Sequence, residues 1–384
     1  MAQPPVHIIG AGIDGLTLAR CLLKHGVPAV LYERMSPASR HSYGITLHAS
    51  SYRPLLDILG LDERTFRRRV AVDGFLGGSG AINPMLLAYP GEVGPTSFRA
   101  HREKFEKLLR EGLDVRWEHT LEKVEDTSSG RLLCLRGGQR LESACTIGVD
   151  GPHSNTRKSL LPETPLKVLP YVAFNGKRLV SRALFDKLYA PAMESSNVIE
   201  SRVRDAVLNI SVNEQQADIV SVSWIYSRRA KSPTDPLHKP NRPVSGATDI
   251  PEEFFDEVGA LQGLPQPFRE VFDVEKLKSD RVLHWLMRTV LVSHQELDAL
   301  AEKGVYFMGD AVHAEPILGG EGANNAITDG IQLANCISNS GRKGISAWYR
   351  LRYNEWQNIV SRSEEAIGKM HLDQSLVGSV VSHT

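Results

Sequence analysis

The chain has only four cysteines in 384 residues, Cys21, Cys134, Cys145 and Cys336, and no Cys-x-x-Cys pair. That excludes a disulfide framework and a cysteine-built zinc site, and it fits a reducing compartment. Net charge is missing too, because 45 Lys and Arg balance 45 Asp and Glu, so no overall field draws the protein toward nucleic acid or an anionic membrane. No stretch reaches the roughly 18 uncharged apolar residues of a membrane span. The apolar run Val6–Ile9 is only strand length, and Asp14 interrupts the residues after it, which argues against a secretory signal. Walker A, Gly-x-Ser-x-Gly and zinc-ligand spacings are also lacking, leaving phosphoryl transfer and hydrolysis unsupported and no metal site expected. These absences describe a soluble, cytoplasmic protein that handles a small molecule and has no nucleic-acid partner.

Regular elements are readable along most of the chain. Val6-His7-Ile8-Ile9 ends in Gly10, Leu16 to His25 has apolar residues at helical spacing, and Ala29 to Tyr32 leads into Glu33. This strand, helix, strand unit opens a parallel sheet. A strand and helix come next from Gly44 to Leu61, then a helix from His101 to Glu111 with Phe105, Leu108 and Leu109 on one face. Alternation at 114–117, 120–125, 132–136 and 140–142 predicts a small antiparallel meander, and Cys145 to Val149 a buried strand.

After Pro162, strand-like segments at 168–174, 198–204, 206–212 and 218–226 predict a second, antiparallel sheet. Residues 228–251 carry five prolines and are expected to wrap the surface as a loop. A helix restarts at Pro251, a strand spans Gly304 to Met308, and helices cover 323–338 and 345–370. The expected fold is α/β: a Rossmann-like nucleotide domain with a parallel sheet and small meander, an antiparallel substrate domain, and a long C-terminal helix. Its boundaries are 1–160 and 286–340 for the two parts of the nucleotide domain, 161–285 for the substrate domain and 341–384 for the helix and tail.

Gly10-Ala11-Gly12-Ile13-Asp14-Gly15 has Gly-x-Gly-x-x-Gly spacing between a strand and a helix. Gly10 permits the tight turn, Gly12 lets the backbone approach a pyrophosphate, and Gly15 allows close helix packing. Glu33 closes the next strand, where its carboxylate can take ribose hydroxyls, with Arg34 beside it at the same cofactor. The loop alone does not separate FAD from NAD. Asp14 either points outward and favours the helix dipole or points inward and opposes an anionic cofactor.

A second glycine-rich joint runs from strand to helix: Gly309-Asp310-Ala311-Val312-His313, then Pro316 and Gly319-Gly320-Glu321-Gly322-Ala323-Asn324. Its backbone N–H groups can face another anionic site. These residues, with Asp329, resemble the second flavin motif of the class A flavoprotein monooxygenases, the para-hydroxybenzoate hydroxylase family. Val312 and Gly330 are mild departures. Asp150-Gly151, in the stretch Gly148 to Arg157, resembles the family's Asp-Gly segment, implicated in FAD and NAD(P)H use. Arg102 is similar to its flavin-contacting helix arginine. Tyr43 to His48 resembles the stretch beside the isoalloxazine, most closely in tetracycline-inactivating and small fungal members.

The resemblance implies FAD held by Gly10, Gly12, Gly15, Glu33, Arg34, Arg102, Asp150, Gly151, Gly309, Asp310, Gly320, Glu321, Gly322, Ala323 and Asn324. Pro316 would border the reactive face, and His48 would touch substrate or flavin. It further implies that NADPH or NADH reduces the flavin, that O2 forms a C4a-hydroperoxide, and that its distal oxygen hydroxylates or epoxidises a hydrophobic aromatic or polyketide-like substrate. Glu321 replaces the commoner glutamine and either caps structure or stays partly protonated beside the ring. His313 is a base or a structural residue. No second Gly-x-Gly-x-x-Gly with strand context is present, which disfavours two-Rossmann Baeyer-Villiger types. A flavin dehydrogenase, oxidase or isomerase shares every motif, and a nucleotide-binding regulatory protein would keep the loops without the chemistry.

Overall fold

The computed structural model describes residues 4–38, 42–87, 93–127, 130–318 and 321–372. Five short strands form a wholly parallel sheet in the order Val305–Phe307, Thr146–Gly148, Val6–Ile9, Ala29–Glu33 and Val115–Trp117. Both faces are covered, which is why Val6–Ile9, Thr146–Gly148 and Val305–Phe307 read as apolar runs without clean alternation. The first helix, Ile13–Lys24, crosses the late helix Gly322–Ser340 at close range: a Cβ on Gly330 would lie 2.9 Å from Thr17 Cγ2. The departure at Gly330 is therefore a packing requirement.

Helix Ile345–Met370 closes the assembly by burying Trp348, Tyr349, Trp356 and Ile359. Its Tyr349 hydroxyl accepts from Phe307 N at 2.6 Å and donates to Phe307 O at 3.0 Å, tying the helix to the edge strand. No helix among the described residues is long and apolar enough to cross a membrane.

The expected meander is smaller than its alternation suggested. Only Leu121–Thr127, Gly130–Leu135 and Arg140–Ser143 pair antiparallel. Val115–Trp117 instead pairs parallel with Leu31–Glu33 and forms the edge of the main sheet. Three residues of alternation carry no information about which neighbour they join.

The antiparallel sheet has the order Val198–Val203, Ala206–Gln215, Ile219–Arg229, Lys167–Ser181 and Arg281–Thr289. The fifth strand was not expected, and it runs through the boundary drawn at residue 285 because it pairs with Lys167–Lys177. Pro170 falls where that pairing is interrupted, between Val168 and Val172, as a residue without an N–H must. One face of this sheet is apolar, with Val172, Phe174, Leu208, Ile210, Trp224 and Tyr226 packed under short helices such as Glu252–Gly259 and Val274–Ser279. The other face carries Asn175, Ser211, Asn213, Ser223 and Ser227 beside an apolar patch of Ala173, Val207, Met287 and Leu318.

The proline-rich stretch is a loop, yet it is pinned from inside. Asp235 and Leu237 are buried, and Arg228 forms a two-pronged pair with Asp235 at 2.6 and 3.1 Å. The same guanidinium reaches Glu257 at 2.5 and 2.9 Å, joining sheet, loop and helix. Burial opposes the Asp235 charge, but the Arg228 hydrogen bonds win and hold its carboxyl well below the usual range. Removing the cation leaves the buried Asp235 carboxylate without a counter-ion, while Glu257 keeps Lys231, so Arg228→Ala should cost about 3–5 kcal/mol. Urea denaturation measures this, and an unchanged midpoint would show that the clamp is redundant.

Candidate functional site

At the carboxyl ends of the parallel strands, the first glycine loop is shaped by contacts that no side chain could share. Gly10 has φ +115°, and a Cβ there would sit 2.4 Å from Val149 O, while one on Gly15 would sit 2.1 Å from Gly10 O. A Cβ on Gly12 would meet nothing within 4 Å, so the loop turns an open stretch of backbone outward at the start of the helix. Glu33 organises this turn. Its Oε2 accepts from Ala11 N and its Oε1 from Met35 N, both at 3.0 Å.

The middle segment turns its carboxylate away from that opening. Asp150 accepts from Asn155 N at 2.7 Å and Thr156 N at 3.0 Å, capping the short helix Asn155–Leu160. Gly151, at φ +79°, again faces open space. Buried Arg157 reaches Ala311 O at 2.5 Å and Pro152 O at 2.6 Å, locking the Asp-Gly turn to the second glycine joint.

The second joint meets the first directly. A Cβ on Gly309 would lie 2.0 Å from Asp14 Oδ1, so Gly309, at φ +64°, leaves room for that carboxyl. Asp14 therefore points inward, and its Oδ1 is buried without a hydrogen-bond partner. Burial, then the charges of Asp310 and Asp329, hold the Asp14 carboxyl well above the ordinary range against His313 and Arg102. Asp310 keeps accessible surface and makes no hydrogen bond among the described residues. Its Oδ1 is 3.7 Å from where a Cβ of Gly322 would be, at the head of helix Gly322–Ser340. Burial also raises the Asp310 carboxyl.

Arg102 donates from Nε to Glu106 at 2.8 Å and from its terminal nitrogen to the Tyr43 hydroxyl, with its cation 5.4 Å from the Tyr43 ring centre. It is thus anchored at the entry to the same cleft as Asp14 and Asp310, and its charge acts on both.

His48 joins the two halves of the site. Its backbone N donates to Asn324 Oδ1 at 2.9 Å, its Nδ1 lies 2.7 Å from Ser97 Oγ, and its Nε2 lies 2.6 Å from Glu321 Oε2. Asn324 Nδ2 also bonds Glu321 Oε2 at 2.7 Å and Thr46 O at 3.2 Å. Glu321 is held at this junction, with its carboxylate against the His48 imidazole. Buried Pro316 precedes the loop; Gly319 and Gly320 lie outside the described residues.

Glu315 was missed by sequence reasoning. It accepts from Glu321 N at 2.8 Å, Asn325 Nδ2 at 2.7 Å and Ser363 Oγ at 3.0 Å, and so fixes the approach to the helix. A carboxylate directly before Pro316 was the available signal. Ser97 carried no signal, since its role depends on a loop folding back over His48. His313 is structural: Nε2 is 2.8 Å from Asp329, its ring stacks on Trp356, and Arg352 and Trp356 take up the rest of Asp329. Burial opposes the charge on His313, but Asp329 holds its pKa above the usual value.

Arg34 is exposed and sits with a different group of charges. Burial, then the cations Arg288, Lys158, Arg34 and Arg157, push the His153 imidazole down to about 4. Together the open backbone at Gly12 and Gly151, the unengaged Asp310 and the head of the late helix fit a dinucleotide cofactor stretched across the strand ends.

Comparison with known proteins agrees with this arrangement. The model of the FAD binding domain family matches residues 3–236 and 271–350. The FAD-dependent monooxygenase adaC of Aspergillus niger is 30% identical over 390 residues, covering 96% of this chain and 94% of that protein. The FAD-dependent monooxygenase nscC of Trichophyton rubrum is 32% identical over 381 residues, covering 95% and 92%. Among solved structures, 2,6-dihydroxypyridine-3-hydroxylase from Arthrobacter nicotinovorans superposes with a TM-score of 0.72 at 18% identity, covering 96% of this chain and 93% of that one.

The inward Asp14 has a consequence for pH. A carboxyl raised on folding contributes stability that is complete below its unfolded pKa of about 4 and is lost as pH rises through the folded value. In the cofactor-free protein, Asp14→Asn should therefore raise the melting temperature at pH 8, with the advantage shrinking toward about pH 4. Thermal unfolding across that range checks it; an advantage that grows toward acid would reverse the assignment.

Proposed function

The chain belongs to the FAD binding domain family and is an FAD-dependent monooxygenase, and we propose that it consumes NADPH or NADH to hydroxylate or epoxidise an aromatic or polyketide-like small molecule. The observation that carries this reading is the junction of His48, Asn324 and Glu321, which sets the late glycine loop against the strand facing the antiparallel sheet. A flat substrate between that sheet and the flavin would lie beside the His48–Glu321 pair.

FAD, when bound, supplies oxygen activation and the transfer of one oxygen atom. The chain's part is placement. Glu33 takes the adenosine ribose hydroxyls, and the backbone at Gly12 faces the pyrophosphate at the positive end of the first helix. Asp310 accepts from ribityl hydroxyls, with Arg102 offsetting its charge. N–H groups at the head of helix Gly322–Ser340, beside Ala323 and Asn324, stabilise negative charge on the ring system. Pro316 borders the reactive face and excludes water there.

His48, placed between Glu321 and Ser97, is the group we assign to draw the proton from a substrate hydroxyl, which would raise the electron density of the carbon under attack. Nicotinamide use is supported by the cations Arg34, Lys158 and Arg288, which gather around His153 beyond Asp150-Gly151 with no acid among the groups that shift it. Such a cluster suits a ligand with several phosphate charges.

Three measurements test this. Asp310→Ala should purify with little flavin while keeping its fold by circular dichroism; full occupancy would remove Asp310 from the cofactor site. Arg288→Ala should keep its flavin and raise the KM for NADPH by about tenfold, the loss of one charge-assisted contact. Product made under 18O2 without the label would sink oxygen transfer altogether.

A further inference from the structure

Arg99 stands in the strand Phe98–His101, directly opposite Thr46 in the two-stranded ribbon formed with Gly44–Leu47. Leu47, Phe98 and Ala100 enter the core on one face of this ribbon, so Arg99 and Thr46 project from the other, toward the polar face of the antiparallel sheet. There the guanidinium donates to Thr46 Oγ1 and Ser211 Oγ, each at 3.2 Å. Both acceptors are neutral hydroxyls. Among the described residues Arg99 has no carboxylate partner, whereas Arg102 one turn on is paired with Glu106.

The guanidinium is enclosed, yet the residue keeps accessible surface, as expected of a side chain lining an internal cleft. Nε is buried without an acceptor and lies against Gly44, where a Cβ would be 2.6 Å away. Gly44 thus clears the space the cation occupies. Two N–H groups are used on hydroxyls, and each terminal nitrogen has a second N–H to offer an oxyanion. Desolvation pushes the guanidinium down to about 10, which leaves it charged at neutral pH and without a counter-ion.

We propose that Arg99, with Thr46 and Ser211, is an anion subsite of the substrate pocket, taking an ionised oxygen (carboxylate, phenolate or enolate) carried on a planar aromatic or polyketide ring. The proposal rests on the monooxygenase reading of the adjoining cleft. Thr46 links the two places: its hydroxyl accepts from Arg99 and its carbonyl from Asn324, and His48 comes two residues later. A ring anchored at Arg99 is therefore oriented toward His48 and Glu321. The site is set apart from the cofactor phosphates, which the open backbone at Gly12 serves.

The test uses FAD-loaded protein and two probes that differ only in charge, 3-hydroxy-2-naphthoate and 3-hydroxy-2-naphthamide, titrated by perturbation of the flavin absorbance. Wild type should bind the carboxylate at least about tenfold tighter than the amide. Arg99→Met should abolish that preference with unchanged flavin content and amide affinity, and Arg99→Lys should restore part of it. Equal affinities in wild type, a comparison that does not depend on any variant folding, would overturn the subsite. So would a preference that survives in Arg99→Met. Wild-type protein that takes up no FAD removes the underlying monooxygenase reading as well, a result distinct from flavin-loaded protein that ignores the charge.

Discussion

Backbone hydrogen bonding across the strand Thr146–Gly148 is the constraint on which the rest of the molecule depends. This strand pairs with Val6–Ile9 on one side and Val305–Phe307 on the other, so segments from the start, middle and end of the chain become neighbours at one edge-to-edge spacing. Each strand ends in a turn that carries polar groups, at Gly10, Asp150 and Gly309. Parallel pairing brings those turns to the same end of the sheet, where ligands of open α/β sheets bind. Glu33, Asp14, Arg157 and Asp310 come together because parallel pairing puts the ends of their strands side by side.

Charge at that end is arranged by separation. Asp14, Asp310 and Glu315 are all raised by burial, while His313 and Arg352 offset Asp329 directly behind them. The basic residues around His153 lie on the far side of the Asp-Gly turn and Arg99 faces the antiparallel sheet. An acid-rich floor, a cationic rim and the enclosed cation of Arg99 give the cleft three regions of different electrostatic character. Neutral overall composition conceals this, since equal totals say nothing about placement.

How much could be read in advance depends on how local each feature is. The glycine loop, Glu33 at the end of its strand and helix Ile345–Met370 rest on spacing within a short window, and the structure has them as expected. Pairing across long separations was not legible. Val115–Trp117 was assigned to the meander because three alternating residues fit either sheet, and Arg281–Thr289 was overlooked because His284, Trp285 and Met287 blur its period. Within the site, His48 and Glu321 were each identified, but not that they touch. Asp14 could be placed near the cofactor, yet its direction depended on the space left at Gly309.

The two sheets also differ in when they can form. The antiparallel sheet is built from one continuous stretch, 167–289, joined largely by neighbours in sequence. The parallel sheet needs Val305–Phe307, and the Tyr349 hydroxyl that holds it, before its edge is complete. As the chain leaves the ribosome, the later-written domain is therefore free to condense first, while the earlier residues wait with an unpaired strand edge. The nucleotide site, whose first glycines precede that domain in the chain and whose last strand follows it, is among the last parts of the molecule to be completed.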